Sequence, residues 1–201
     1  MGNSLFEGEF QKLELEDTIL LYFPQFLDNN EADFWFEHLN STISFQSGEI
    51  KLFGKTFKKP RLEAFFSDGN LSYSYSGQQL STQRITEELK ELKMRVESVS
   101  HLDFNAILVN LYRDGQDSNG WHADNEKELG SDPLIASVSL GAERIFEMQH
   151  IHSKKRIKLT LEHGSLLCML QGSQLFWKHQ LPKDKTVDLP RINLTFRKIL
   201  T

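Results

Sequence analysis

The chain has 201 residues, a length that suits one domain, or one domain with an N-terminal extension. A hydrophobic content of 39% leaves material for a sizeable core, and a net charge of −5 argues mildly against a globally basic nucleic-acid binder. The single cysteine, Cys168, excludes an intramolecular disulfide and suits a reducing compartment, and no apolar stretch is long enough to span a membrane.

Residues 1–17 are polar and acidic and read as a loosely held lead-in without a signal-peptide pattern. Thr18 to Phe26 reads as a strand ending near Pro24. Asp28-Asn29-Asn30 opens a helix over Glu31 to Leu39. Ile43 to Phe57 gives a short strand, a turn at Gly54 and a second strand, a hairpin with Leu52-Phe53-Gly54-Lys55 at its tip. The spacing predicts a helix over Ser81 to Val99, capped by Ser81 or Thr82, with Ile85, Leu89, Leu92 and Val96 as its apolar stripe. Strands follow at Phe104–Tyr112, Leu134–Leu140, Arg144–Gln149, Arg156–Leu161, Ser165–Leu170 and Arg191–Lys198. Regular short strands after a long helix indicate an α+β chain, mainly β, with a sandwich or barrel in its C-terminal half. Cys168 lies in an apolar run and reads as a buried small hydrophobe. Two local basic clusters, Lys55 to Arg61 and Ser153 to Lys158, read as solvated loops or as local patches.

Strand side chains alternate faces, so residues two apart point the same way. Asn110 and Tyr112 share one face of an otherwise apolar strand. Arg191, Asn193, Thr195 and Arg197 form a polar row opposite Ile192, Leu194 and Phe196. Such a row belongs either to an exposed strand or to the wall of a polar cavity, where the planar donor fork of arginine would suit a dicarboxylate. His122 and Asp124 use the same two-residue spacing, which would put them on one face of a strand, and with a later histidine they fit the two-histidine, one-carboxylate set of non-haem iron oxygenases. That set leaves three metal positions open, two for a bidentate 2-oxo acid and one for dioxygen. The later histidine is one of His150, His152, His163 and His179. His150 and His152, beside Lys154-Lys155-Arg156, read as exposed, and His163-Gly164-Ser165 reads as a turn. His179 is favoured by its place ahead of the arginine row, but spacing alone does not decide it.

Several ordered motifs carry a resemblance. They are Asn110-Leu111-Tyr112-Arg113-Asp114-Gly115, Trp121-His122-Ala123-Asp124-Asn125-Glu126, Ile135 to Gly141, His163-Gly164-Ser165-Leu166-Leu167, and Pro190-Arg191-Ile192-Asn193-Leu194-Thr195-Phe196-Arg197-Lys198. From about Leu52 to Leu200 the chain resembles the AlkB family of oxidative dealkylating dioxygenases, and is most like the branch that repairs double-stranded DNA. The resemblance implies a double-stranded β-helix (jelly-roll) core with N-terminal helices and a nucleotide-recognition lid. Residues 51–201 would form the dioxygenase domain, with the lid at about 51–80, and residues 1–50 an extension and helix packed on the core.

The resemblance also assigns His122, Asp124 and His179 as the catalytic iron ligands. It gives Asn110, Tyr112, Arg191, Asn193, Thr195 and Arg197 as contacts of 2-oxoglutarate, with Arg191 on its distal carboxylate. Phe53 matches the wedge of a hairpin finger that enters the base stack, and Lys55 a phosphate contact. Arg61 matches a lid feature, and Tyr73, Ser74 and Tyr75 match the lid around a flipped base. Asn125 stands where the duplex branch usually has a second acid, a departure that bears on the lesion preferred. The implied reaction uses Fe(II), 2-oxoglutarate and O2 to oxidise the alkyl carbon of bases such as 1-methyladenine and 3-methylcytosine, releasing an aldehyde, succinate and carbon dioxide. Expected partners are alkylated DNA, duplex included, and O2, with the chain acting as a monomer away from membranes. The expected compartment is intracellular, the cytoplasm of a bacterium or the nucleus of a eukaryote. Competing readings are the same iron chemistry on RNA, and a non-catalytic module that binds damaged nucleic acid.

Overall fold

Asp28 and Glu31 fix where the first helix begins. The Asp28 carboxylate accepts the Glu31 backbone N–H at 2.9 Å, and the Glu31 side chain accepts the Asp28 N–H at 3.2 Å. This reciprocal cap satisfies two donors that a helix start otherwise leaves unpaired. The helix, α1 (Asn29–Thr42), buries Ala32, Trp35 and Leu39 along one stripe. The computed structural model describes residues 10–52, 55–69, 74–75, 78–79 and 82–200. Phe53, Gly54, Tyr73 and Ser81 lie outside the described residues, so the tip of the expected finger and part of the expected lid do as well.

The strands in chain order are β1 (Gln11–Leu15), β2 (Thr18–Phe23), β3 (Gln46–Leu52), β4 (Lys55–Ser67), β5 (Ser74–Tyr75), β6 (Gln78–Gln79), β7 (Thr82–Arg84), β8 (Ala106–Tyr112), β9 (Asn119–His122), β10 (Ile135–Gly141), β11 (Arg144–His150), β12 (Arg156–Leu161), β13 (Ser165–Met169), β14 (Trp177–Leu181) and β15 (Arg191–Arg197). The larger sheet runs β1-β2-β13-β10-β15-β8-β4-β3, with β7 beside β4. The smaller runs β12-β11-β14-β9, and β5 pairs with β6. Apart from the parallel β4–β7 pair, the two sheets are antiparallel, and they form a jelly-roll core.

Alternation along β15 divides the interior. Ile192, Leu194 and Phe196 join a cluster with Val138, Leu166 and Cys168 that packs beneath α1 and a second helix, α2 (Glu87–Ser100). Burying each large aliphatic or aromatic side chain stabilises the fold by roughly 1.5–3 kcal/mol. Cys168 is fully buried in this layer, and burial pushes its thiol pKa up to about 12. A second apolar cluster, with Ile135, Phe146, Met148 and Trp177, fills part of the space between the sheets.

Four expectations need correction. Residues 11–15 are not a loose lead-in. They form β1, paired with β2 from Gln11↔Tyr22 to Leu15↔Thr18, because Leu13 and Leu15 alternate with polar residues. The long helix starts later than expected, at Glu87. The Thr86 hydroxyl accepts the Leu89 N–H at 3.3 Å, and Glu87 and Glu88 suit the positive end of the helix. Thr82 lies instead in β7, running parallel to β4. The second hairpin strand does not stop at Phe57. It continues to Ser67, because its C-terminal half pairs with β8 while its N-terminal half pairs with β3. Finally, the basic run ending at Arg61 is not a solvated loop: Lys59 and Arg61 are buried on β4 beside Glu63. The run from Ser153 to Arg156 is exposed.

Candidate active site

His122 closes β9 and His179 sits on β14, and the two are paired across the strands. Their rings lie edge to face with centroids 4.3 Å apart. Asp124 lies beyond the end of β9, so strand alternation does not bring it beside His122. Two long-range bonds place it. The Gln174 side chain accepts the Asp124 N–H at 2.9 Å, and Arg197 donates to the Asp124 carboxylate at 2.8 Å. Ligand atoms of His122, Asp124 and His179 all lie within 4.8 Å of one another.

Protonation states follow from these contacts. His122 Nδ1 lies 2.7 Å from the Gly120 carbonyl, which can only accept, so Nδ1 carries the hydrogen. The lone pair is then on Nε2, 3.9 Å from the Asp124 carboxylate, and the Asn119 amide donates to it at 3.1 Å. Burial lowers the pKa of His122, and burial with the neighbouring His122 brings that of His179 to about 3. Burial pushes the Asp124 carboxyl up, but Arg197 and the two imidazoles outweigh it and hold it below the usual range. At neutral pH the site holds two neutral imidazoles and one carboxylate, the forms in which these groups ligate a divalent metal.

The opposite wall comes from β15, β8 and β10. Arg191, Asn193, Thr195 and Arg197 are all buried and line the same cavity as the three candidate ligands, which decides between the exposed-strand and cavity readings of this row. Arg191 donates to the Ser139 hydroxyl at 2.9 Å, and its guanidinium lies over the Tyr112 ring at 5.4 Å. Burial lowers its pKa to about 10, so it remains a cation at neutral pH. Asn193 donates to the Ser137 hydroxyl at 2.7 Å and to the Val138 carbonyl at 3.0 Å. Thr195 donates to the Asn193 side-chain oxygen at 3.1 Å. Asn110 and Tyr112 complete this polar wall, while Phe146, Leu161, Met169 and Leu181 supply apolar surface. A buried cation among fixed donors fits a small dicarboxylate.

The other histidines are occupied elsewhere. His150 is buried, not exposed as its basic neighbours suggest. Ser153 donates its N–H to Nδ1 at 3.0 Å, and Nε2 faces Asp17 at 3.1 Å. His152 is exposed. His163 accepts the Gly141 N–H at 2.8 Å at the turn where Gly164 has φ +76°. Of the four, only His179 lines the cavity. Among the expected substrate contacts, Asn125 is exposed just past Asp124, Arg61 is buried, Lys55 starts β4, and Ser74 and Tyr75 form β5. Sequence reasoning missed Gln174, Asn119, Ser137 and Ser139. The two serines had a signal, their alternation with Ala136, Val138 and Leu140, whereas Gln174 reaches Asp124 across 50 residues and had none.

Comparison with known proteins gives this geometry a lineage. Residues 19–197 match the family model described as the 2OG-Fe(II) oxygenase superfamily. The chain belongs to that superfamily. It is therefore an oxygenase that uses Fe(II) and 2-oxoglutarate, and the donor set and the arginine-lined wall suit both. Among relatives of this oxygenase, the DNA oxidative demethylase ALKBH2 of Bos taurus is 40% identical over 181 residues, covering 85% of this chain and 65% of the relative. The Homo sapiens ALKBH2 is 39% identical, covering 85% of this chain and 69% of the relative. The alpha-ketoglutarate-dependent dioxygenase alkB homolog 3 of Mus musculus is 38% identical over 194 residues, covering 88% and 65% respectively. The chain thus spans about two thirds of the length of these relatives. The solved structure of OsALKBH1 superposes with a TM-score of 0.65 at 18% identity, covering 92% of this chain and all of that one, which shows a shared fold.

Proposed function

We propose that this oxygenase removes alkyl groups oxidatively from damaged bases in DNA, with 1-methyladenine and 3-methylcytosine as representative lesions. The observation that carries the reading is the triad of His122, Asp124 and His179 facing the Arg191–Arg197 wall, in a chain about 40% identical to DNA oxidative demethylases. His122, Asp124 and His179 would hold Fe(II), which when bound supplies activation of dioxygen coupled to oxidation of 2-oxoglutarate. Arg197 keeps Asp124 ionised and aimed. Arg191, steadied by Ser139 and Tyr112, receives the distal carboxylate of the cosubstrate, and Asn110, Tyr112, Asn193 and Thr195 complete its contacts. The apolar residues between the sheets keep water from the reacting centre.

On the substrate side, the β3–β4 hairpin stands at the end of the larger sheet, where it can reach a duplex. Phe53 would fill the gap left by a flipped base, with Lys55 on phosphate and Arg61 at the pocket edge. Tyr73, Ser74, Tyr75 and Asn125 would border the flipped base. A lesion that blocks Watson–Crick pairing lowers the few kcal/mol that extrusion costs, which favours damaged over normal bases. The chain works as a monomer in the compartment that holds its DNA. The test is mass spectrometry of methylated single- and double-stranded DNA and RNA after incubation with Fe(II) and 2-oxoglutarate. Loss of the methyl mass from DNA with matching succinate is expected. Unchanged oligonucleotides without succinate would sink the enzyme reading, and loss from RNA alone would move the substrate.

A further inference from the structure

The cosubstrate wall continues sideways into a buried charged group, Lys59, Arg61 and Glu63. Registered partners Glu63, Asn110, Asn193 and Ser139 form one transverse polar row across β4, β8, β15 and β10. At its β4 end, the Glu63 carboxylate sits between two cations, Lys59 at 2.7 Å and Arg61 at 3.0 Å. All three side chains are at least nine-tenths buried. The enclosure is tight: a Cβ added at Gly48 of β3 would lie 2.7 Å from Glu63 and 2.9 Å from Lys59. β3 crosses over the pair at this point, at an irregularity in the β3–β4 register between Ser47 and Glu49.

Arg61 looks the other way as well. Its Nε donates to the Asn110 side-chain oxygen at 3.0 Å, and a terminal nitrogen lies 3.3 Å from the Ser118 carbonyl. Arginine has no acceptor, so the atom of the Asn110 amide that faces it must be oxygen. The NH2 end of that amide is then turned away from Arg61, and Asn110 lines the cavity. The wrong rotamer would present an acceptor oxygen to an anion.

We infer that Arg61 and Glu63 are positioning residues that lock Asn110 with its amide donor toward the bound 2-oxoglutarate, Glu63 holding Arg61 and Arg61 holding the amide. This rests on reading the cavity as the 2-oxoglutarate site. Removing the Arg61 donor frees the amide to turn. Removing the Glu63 charge loosens Arg61 and leaves it beside Lys59 without the carboxylate between them. Both changes weaken cosubstrate binding through a residue that neither of them alters.

The experiment is calorimetric titration of 2-oxoglutarate into the full chain loaded with Mn(II), which reads binding without turnover. Arg61→Met should weaken binding about tenfold or more, the scale of a hydrogen bond to a charged group, and Glu63→Gln should weaken it less. Asn110→Ala should also weaken it, and adding Arg61→Met or Glu63→Gln to Asn110→Ala should produce no further loss. Thermal unfolding of each variant separates folding defects, and Glu63→Gln preserves volume should Arg61→Met fold poorly. Wild-type affinity in both single variants would overturn the inference, as would a loss that persists undiminished in the Asn110→Ala background. A wild-type chain that binds no 2-oxoglutarate would overturn the cosubstrate reading beneath it.

Discussion

The Arg197 guanidinium donates to the Asp124 carboxylate at 2.8 Å while the two side chains are 2% and 3% exposed. Breaking such a buried pair by removing one partner costs about 3–5 kcal/mol, because the other charge is left in the interior. Arg197→Leu should therefore lower the unfolding midpoint. It should also weaken metal binding, since burial then pushes Asp124 toward its protonated form. A fluorescence-detected metal titration checks this, and unchanged affinity would show that Arg197 does not govern the ligand.

His179 supplies a pH dependence. Its ordinary pKa is 6.5 and the folded site lowers it to about 3. Between these values the unfolded chain binds a proton that the folded chain refuses, so stability falls as pH drops. The metal-free protein should lose stability progressively from about pH 6.5 downward, and His179→Asn should flatten that slope. Denaturant unfolding across the window measures it, and identical slopes in the two proteins would contradict it.

Gln174 touches no candidate metal ligand atom, yet its side chain fixes the backbone of Asp124. Gln174→Ala should reduce metal affinity by roughly 10–100-fold, the usual consequence of removing a group that orients a ligand. Competition against a chelator of known affinity would detect it.

Arg191→Lys keeps the charge but loses the fork that spans Ser139 and the cavity. The KM for 2-oxoglutarate should rise by about tenfold. The KM for the oligonucleotide should stay within error, and a rise in both would place Arg191 in a wider structural role.

Leu194 is fully buried on the helix-facing side of β15. Leu194→Ala should cost about 2–5 kcal/mol in a denaturant titration. Because Asn193 and Thr195 face the other way, affinity for 2-oxoglutarate should survive under native conditions.

Some of this was readable in advance and some was not. The polar row from Arg191 to Arg197 was legible because strand alternation is local, and the cavity then gave it a purpose. The motifs led to His179, but β9 and β14, which carry the two histidines, were not anticipated as strands. They are four and five residues long and mix polar with apolar side chains. Asp124 reached its place through Gln174 and Arg197, contacts made across 50 and 73 residues. His150 was misread for a related reason. Its exposed neighbours dominate the local pattern, while the groups that enclose it, including Trp177 on β14 and Asp17 in the β1–β2 turn, come from distant parts of the chain.

The placement of Cys168 has a chemical consequence. The side chain belongs to the layer beneath the helices, while the candidate iron ligands and the arginine wall face the other side of the larger sheet. The protein thus keeps its one thiol on the far side of the sheet from the centre where dioxygen would react. Electrophiles and oxidants that attack thiolates find almost none here while the fold holds.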